Sequence, residues 1–84
     1  MVTVRLFGTF RLDCGIKSLE LEAERVKDIY PIIMAEVRKR NPETRLKEAD
    51  LKGCIITVNS VQVGVRTKLS DGDEVCLMPA VAGG

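Results

Sequence analysis

The sequence predicts an α+β fold, a mixed sheet with one main helix packed across one face. Three observations predict it. The chain opens on two stretches with a two-residue hydrophobic period, and its middle carries one stretch with the 3.6-residue period of a helix. Its second half returns to short apolar runs separated by turn residues. One helix laid on one face of a sheet accommodates that order of two strands, a helix, a loop and three more strands.

The opening "MVTVRLFGTFRLD" places Val2, Val4, Leu6, Phe10 and Leu12 on one parity and Thr3, Arg5, Thr9, Arg11 and Asp13 on the other. That pattern predicts a half-buried strand with a bend or bulge at Gly8. Cys14-Gly15 turns the chain, and "IKSLELEA" alternates again through Ile16, Leu19 and Leu21 with one break in register, completing a hairpin. In "ERVKDIYPIIMAEVRKRN" the period changes. Val26, Ile29, Ile33 and Val37, with Tyr30 beside them, fall on one helical face. Pro31 lacks an N–H and its ring crowds the preceding turn, so it is tolerable only near the helix start. The first turn is therefore placed at about Lys27, with some distortion expected. Arg38, Lys39 and Arg40 suit the negative end of the helix dipole, and Asn41-Pro42 stops the helix. "PETRLKEADLKG" predicts a short turn of helix or an ordered loop. "CIITVN" and "VQV" are short strands around an Asn59-Ser60 turn, "LSDGD" is a tight turn, and "EVCLMPAV" is the last strand.

Composition narrows what such a domain does. Its 84 residues make a single domain, 1–84, with 79–84 as an extended flexible tail. A chain of this size hides roughly 60–65% of its unfolded surface, which leaves no room for both a complete core and a deep catalytic cavity. Thirteen basic and twelve acidic side chains give a net charge of +1, so attraction to nucleic acid or to a membrane surface is not expected. Two phenylalanines and one tyrosine are too few for a base-stacking platform. With no histidine, the chain lacks the commonest general base and the commonest metal ligand. Cys14, Cys54 and Cys76 are odd in number, far apart and without a C-x-x-C pair, so neither a disulfide framework, a zinc site nor a catalytic thiol is indicated. A reducing cytoplasm fits, and no signal peptide or membrane-length apolar run is visible. "DGDE" at 71–74 lacks the ligand spacing of a calcium loop, and "RKR" at 38–40 is a solvated helix end.

What remains is the ending, "LSDGDEVCLMPAVAGG". The element order, the "DGDEV" turn into the last strand and a Gly-Gly at the C-terminus together resemble the MoaD/ThiS family of ubiquitin-like, β-grasp sulfur carriers. Similarity is strongest over Val58–Asn59 and Leu69–Gly84, and elsewhere it lies in element order. The connection from Asn41 to Lys52 makes the chain look closer to MoaD, the small subunit of molybdopterin synthase, than to the thiamine-pathway carriers. Cys76-Leu77-Met78-Pro79-Ala80 departs from the family's frequent aromatics and Pro-Pro pair at this point.

The resemblance implies that Gly84 carries the chemistry. An E1-like adenylating enzyme would use ATP to make an acyl-adenylate there, and sulfur would replace the adenylate to leave a covalent thiocarboxylate. The sulfur would pass to a pterin precursor held in the molybdopterin synthase large subunit. On this reading the chain is no enzyme by itself and binds no cofactor tightly. Residue chemistry agrees with such a role. Glycine has no Cβ, so Gly83 and Gly84 can enter a narrow channel. Pro79 restrains its own φ and biases Met78 toward extended backbone, aiming the tail. Fully stretched, residues 79–84 reach about 20 Å. Parity adds a docking face. Phe7 falls with Arg5 and Thr9, while Val75 and Leu77 suit the core and send Cys76 and Met78 outward. If the first and last strands are neighbours, as in a β-grasp sheet, Phe7, Cys76 and Met78 form an apolar patch on the open face. The same ending also fits a ubiquitin-like modifier joined to lysines through Gly84, or a carrier for thiamine or cysteine synthesis.

Overall fold

Along β1 (Val2–Leu6), Val2, Val4 and Leu6 are buried while Thr3 and Arg5 are half exposed, the alternation a sheet with one covered face requires. The computed structural model describes residues 1–8 and 15–79. β1 ends at Leu6 instead of running on to Asp13. Phe7 still donates its N–H to the Leu77 carbonyl at 3.1 Å, but Gly8 takes a φ of +60° and turns the backbone out of the strand. The further alternation through Asp13 and the turn at Cys14 lie outside the described residues. β2 (Ser18–Leu21) returns antiparallel, pairing Val2 with Leu21 and Val4 with Leu19.

The helix begins as the proline demands. A 3₁₀ turn covers Val26–Asp28, and α1 runs Ile29–Arg40. Pro31 is the third residue of α1, where a backbone N–H has no carbonyl of the same α-helix to reach, so the missing donor costs nothing. Ile29, Tyr30, Ile33, Met34 and Val37 are buried, and Arg38, Lys39 and Arg40 occupy the last turn. Met34 joins the face that periodicity had already assigned to its neighbours. After Asn41, whose N–H reaches the Val37 carbonyl, a connection leads to α2 (Glu48–Lys52).

β3 (Ile55–Val58) and β4 (Val61–Gln62) form a hairpin whose two linking residues, Asn59 and Ser60, both have positive φ, +50° and +71°. This is the tight two-residue turn whose twist matches the strands, and it favours Asn followed by Gly. Ser60→Gly is therefore expected to raise stability by about 0.5–1 kcal/mol, read as an increase in the urea midpoint. The Asn59 amide also ties this turn to the next one. Its nitrogen donates to Asp73 Oδ1 at 2.9 Å and its oxygen accepts the Glu74 N–H at 2.9 Å, while Asp73 Oδ2 accepts the Ser70 N–H at 2.7 Å. The Ser70 N–H, and then the Asn59 amide, hold the Asp73 carboxyl below its usual pKa.

β5 (Glu74–Met78) enters the middle of the sheet, parallel to β1 and antiparallel to β3. The strand order is β2-β1-β5-β3-β4. α1 covers one face, and the core forms between it and Val4, Leu6, Val75, Leu77 and Ile56. The other face carries no helix among the described residues. This is the α+β, β-grasp arrangement expected from the sequence.

Two groups, Tyr30 within the core and Cys54 packed against it, give the domain an alkaline limit. Burial pushes the Tyr30 hydroxyl up to about 12 and the Cys54 thiol up to about 11. A raised acid favours the folded state while neutral. Its stabilisation is complete below the unfolded pKa, near 9 for Cys54 and 10 for Tyr30, and is lost as pH rises through the folded value. The urea midpoint is expected to fall between about pH 9 and 12, with Tyr30→Phe removing the later part of the decline.

Candidate functional site

The strand registers decide which outward residues meet. β1 and β5 pair Arg5 with Cys76 and Leu6 with Leu77, and the bond from Phe7 to the Leu77 carbonyl carries the pairing one residue further. Phe7 therefore lies level with Met78 on the open face. On the other side of β5, Ile55 pairs with Met78 and Thr57 with Cys76. The result is an apolar row, Phe7–Met78–Ile55, across three neighbouring strands, with Cys76 one step below it. Phe7, Cys76 and Met78 are half-buried and Ile55 is 37% exposed.

A polar frame borders this row. The Arg5 guanidinium lies over the Phe7 ring, 5.6 Å from its centroid, and approaches Glu74 at 3.8 Å. The Cys76 thiol is 3.9 Å from Glu74 Oε1, and the chain has no histidine to serve it as a base. The sequence patch is thus assembled, and it is larger than parity alone suggested. Ile55 was missed, although "CIITVN" held the signal. Once Ile56 is assigned to the core, Ile55 and Thr57 must point the other way.

Pro79 follows Met78 at the upper end of β5 and is half-buried, its ring set against Gly8. The tail therefore starts at the end of the sheet where the apolar row lies. Gly83 and Gly84, the residues expected to thread and to carry sulfur, lie outside the described residues. Among the described residues no group of three His, Cys, Asp or Glu side chains could hold a metal, and no helix is long and apolar enough to cross a membrane.

A five-stranded mixed sheet with one long helix on one face and a half-apolar open face leading into the C-terminal segment defines a ubiquitin-like β-grasp protein. The family comparison then narrows the class. The ThiS family matches residues 4–84, and the chain belongs to this ubiquitin-like sulfur carrier family. No curated protein matches it in sequence. Solved structures do. A chain in the complex of subunits 1 and 2 of molybdopterin-converting factor from Helicobacter pylori is 28% identical, with a TM-score of 0.63, 99% of this chain covered and 97% of that one. A chain of the BexX/CysO complex from Amycolatopsis orientalis is 31% identical, with a TM-score of 0.65 and complete coverage of both. Small archaeal modifier protein 1 from Methanosarcina acetivorans is 26% identical, with a TM-score of 0.67 and coverage of 99% and 95%. Two of these three are complexes with a protein partner, and their names point to different pathways.

Proposed function

We propose that this chain is the sulfur-carrying small subunit of a molybdopterin synthase, working in the cytoplasm and non-catalytic by itself. The observation that carries the reading is the placement of the Phe7–Met78–Ile55 row at the root of the tail. A partner that covers this row is also the nearest protein to whatever the tail delivers. The subunit pair from Helicobacter pylori supports a synthase large subunit as that partner.

The chemistry follows from the terminal group. A carboxylate is a poor acyl donor and is ionised at neutral pH, its ordinary pKa being roughly 3.3–3.7. An E1-like adenylating enzyme transfers AMP from ATP to the Gly84 carboxylate and releases pyrophosphate. Hydrosulfide, HS⁻, then attacks the acyl carbon and AMP leaves, giving the thiocarboxylate after loss of the proton. In the large subunit the thiocarboxylate sulfur would attack a carbon of the pterin precursor and displace an oxygen leaving group, and water would then cleave the acyl–sulfur bond, leaving the sulfur on the pterin and returning the Gly84 carboxylate. The carrier contributes position, and the catalytic groups belong to its partners.

The test is mass spectrometry of the C-terminal peptide after incubation with ATP and a lysate of the host. Exchange of oxygen for sulfur adds nearly the mass of one oxidation, so fragmentation must locate the change on Gly84 rather than on Met78 or Cys76. A thiocarboxylate at Gly84 supports the carrier, and its transfer to a pterin precursor in the presence of the large subunit supports the pathway. Gly84 in amide linkage to lysines, without sulfur, overturns the reading in favour of a modifier.

A further inference from the structure

Gly8 lies two residues beyond the end of β1, and two features of it coincide. Its φ is +60°, a conformation that L side chains rarely adopt, and the space beside it is filled. A Cβ built there would lie 2.8 Å from Pro79 Cγ and 3.2 Å from Pro79 Cδ. Carbon atoms pack at about 3.5–4.0 Å, so the closer contact falls short by roughly 0.7 Å or more. A long flexible side chain would swing aside. The proline ring is closed on its own backbone nitrogen, so moving Cγ and Cδ moves the chain at the root of the tail.

Gly72 shows what the φ alone amounts to. It has a φ of +87°, yet nothing lies within 4 Å of the Cβ it lacks. A methyl group at Gly72 meets backbone strain only, whereas at Gly8 it also meets Pro79. Gly8 follows Phe7 and Pro79 follows Met78, two members of the apolar row. The contact therefore joins the proposed docking row to the start of the tail.

We propose that Gly8 is a positioning residue for the reactions of the tail with a docked partner, the activating enzyme first: its missing side chain forms the seat of the Pro79 ring, which fixes the point and direction from which the tail leaves the sheet. This rests on the carrier reading above. With alanine at 8 the row still docks, but the tail starts from a displaced root and its terminus arrives off line. A displacement of about 1 Å can reduce rates by as much as ~100-fold.

The experiment compares Gly8→Ala, Gly72→Ala, Pro79→Ala and the double variant Gly8→Ala/Pro79→Ala in the full chain. Thermal unfolding gives the first readout. Gly8→Ala is expected to lose at least about 5 °C more than Gly72→Ala, and Pro79→Ala in the same chain is expected to restore that excess by removing the obstructing ring. The second readout is ATP-dependent thiocarboxylate formation in host lysate across carrier concentrations. Gly8→Ala and Pro79→Ala should each lower the maximal rate about tenfold with little change in the half-saturating concentration, and the double variant, which lacks the seated ring, should stay as low although its stability is restored. Gly8→Ala behaving like Gly72→Ala in both readouts, a double variant no more stable than Gly8→Ala, or a Pro79→Ala chain that loads sulfur at the wild-type rate overturns the proposal. A wild-type chain that gains no sulfur overturns the carrier reading and the delivery role with it, while the unfolding temperatures still decide whether Gly8 seats Pro79.

Discussion

Removing Gly83 and Gly84 is expected to abolish sulfur loading while leaving the melting temperature unchanged within about 2 °C. The shortened chain still ends in a carboxylate, now on Ala82, so the reactive group survives and only its placement changes. Two residues span at most about 7 Å of extended chain. Misplacement of a reacting atom by only 1 Å can cost ~100-fold in rate, so the loss is expected to exceed that figure. The fold should not register the change, because among the described residues the buried core reaches no further than Leu77. Gly83→Ala separates length from width. It keeps the carboxylate at its proper reach and adds one methyl group, so a large loss there identifies a narrow channel in the activating enzyme. The measurement is the fraction of C-terminal peptide carrying a thiocarboxylate at fixed time, beside a thermal melt. Full loading of the truncated chain would show that the terminal glycines take no part in the chemistry.

Phe7→Asp is expected to weaken partner binding by roughly 10–100-fold with less than about 1 kcal/mol of lost stability. The substitution places a charge where a docked partner would exclude water, and an unpaired charge there carries a desolvation penalty. In the free domain the same side chain is half-buried on the face without a helix, so the aspartate can stay hydrated. Arg5, already above the ring, is within reach to offset part of the cost. Leu77→Ala gives the contrast. Leu77 is 0% exposed and pairs with Leu6 and Ile56 on the two neighbouring strands, so its truncation is expected to cost about 2–5 kcal/mol. Binding titrations with the synthase large subunit and urea unfolding separate the two effects. A Phe7→Asp protein that unfolds like Leu77→Ala would place Phe7 in the core and remove the docking face.

These expectations rest on different kinds of legibility. Strand parity sorted Val2, Val4, Leu6, Val75 and Leu77 inward and Phe7, Cys76 and Met78 outward, and the buried positions follow it. The 3.6-residue period found the buried face of α1, and the missing N–H of Pro31 located the helix start to within two residues. Each of these is a property of consecutive residues, since alternation and helical spacing act within one element. The Gly83-Gly84 pair is also a short string of consecutive residues, and it lies outside the described residues.

Which face of each element is apolar and where the helix begins are therefore written in consecutive residues. The assembled sheet adds that Ile55 extends the Phe7–Met78 row and that Gly8 lies against Pro79. Both depend on register between strands distant in the chain, β1 beside β5 and β5 beside β3. Periodicity along one strand is unchanged when that strand slides by two residues against its neighbour. Register is set instead by how the assembled core fills and by which backbone groups find partners, and neither exists until the strands are side by side.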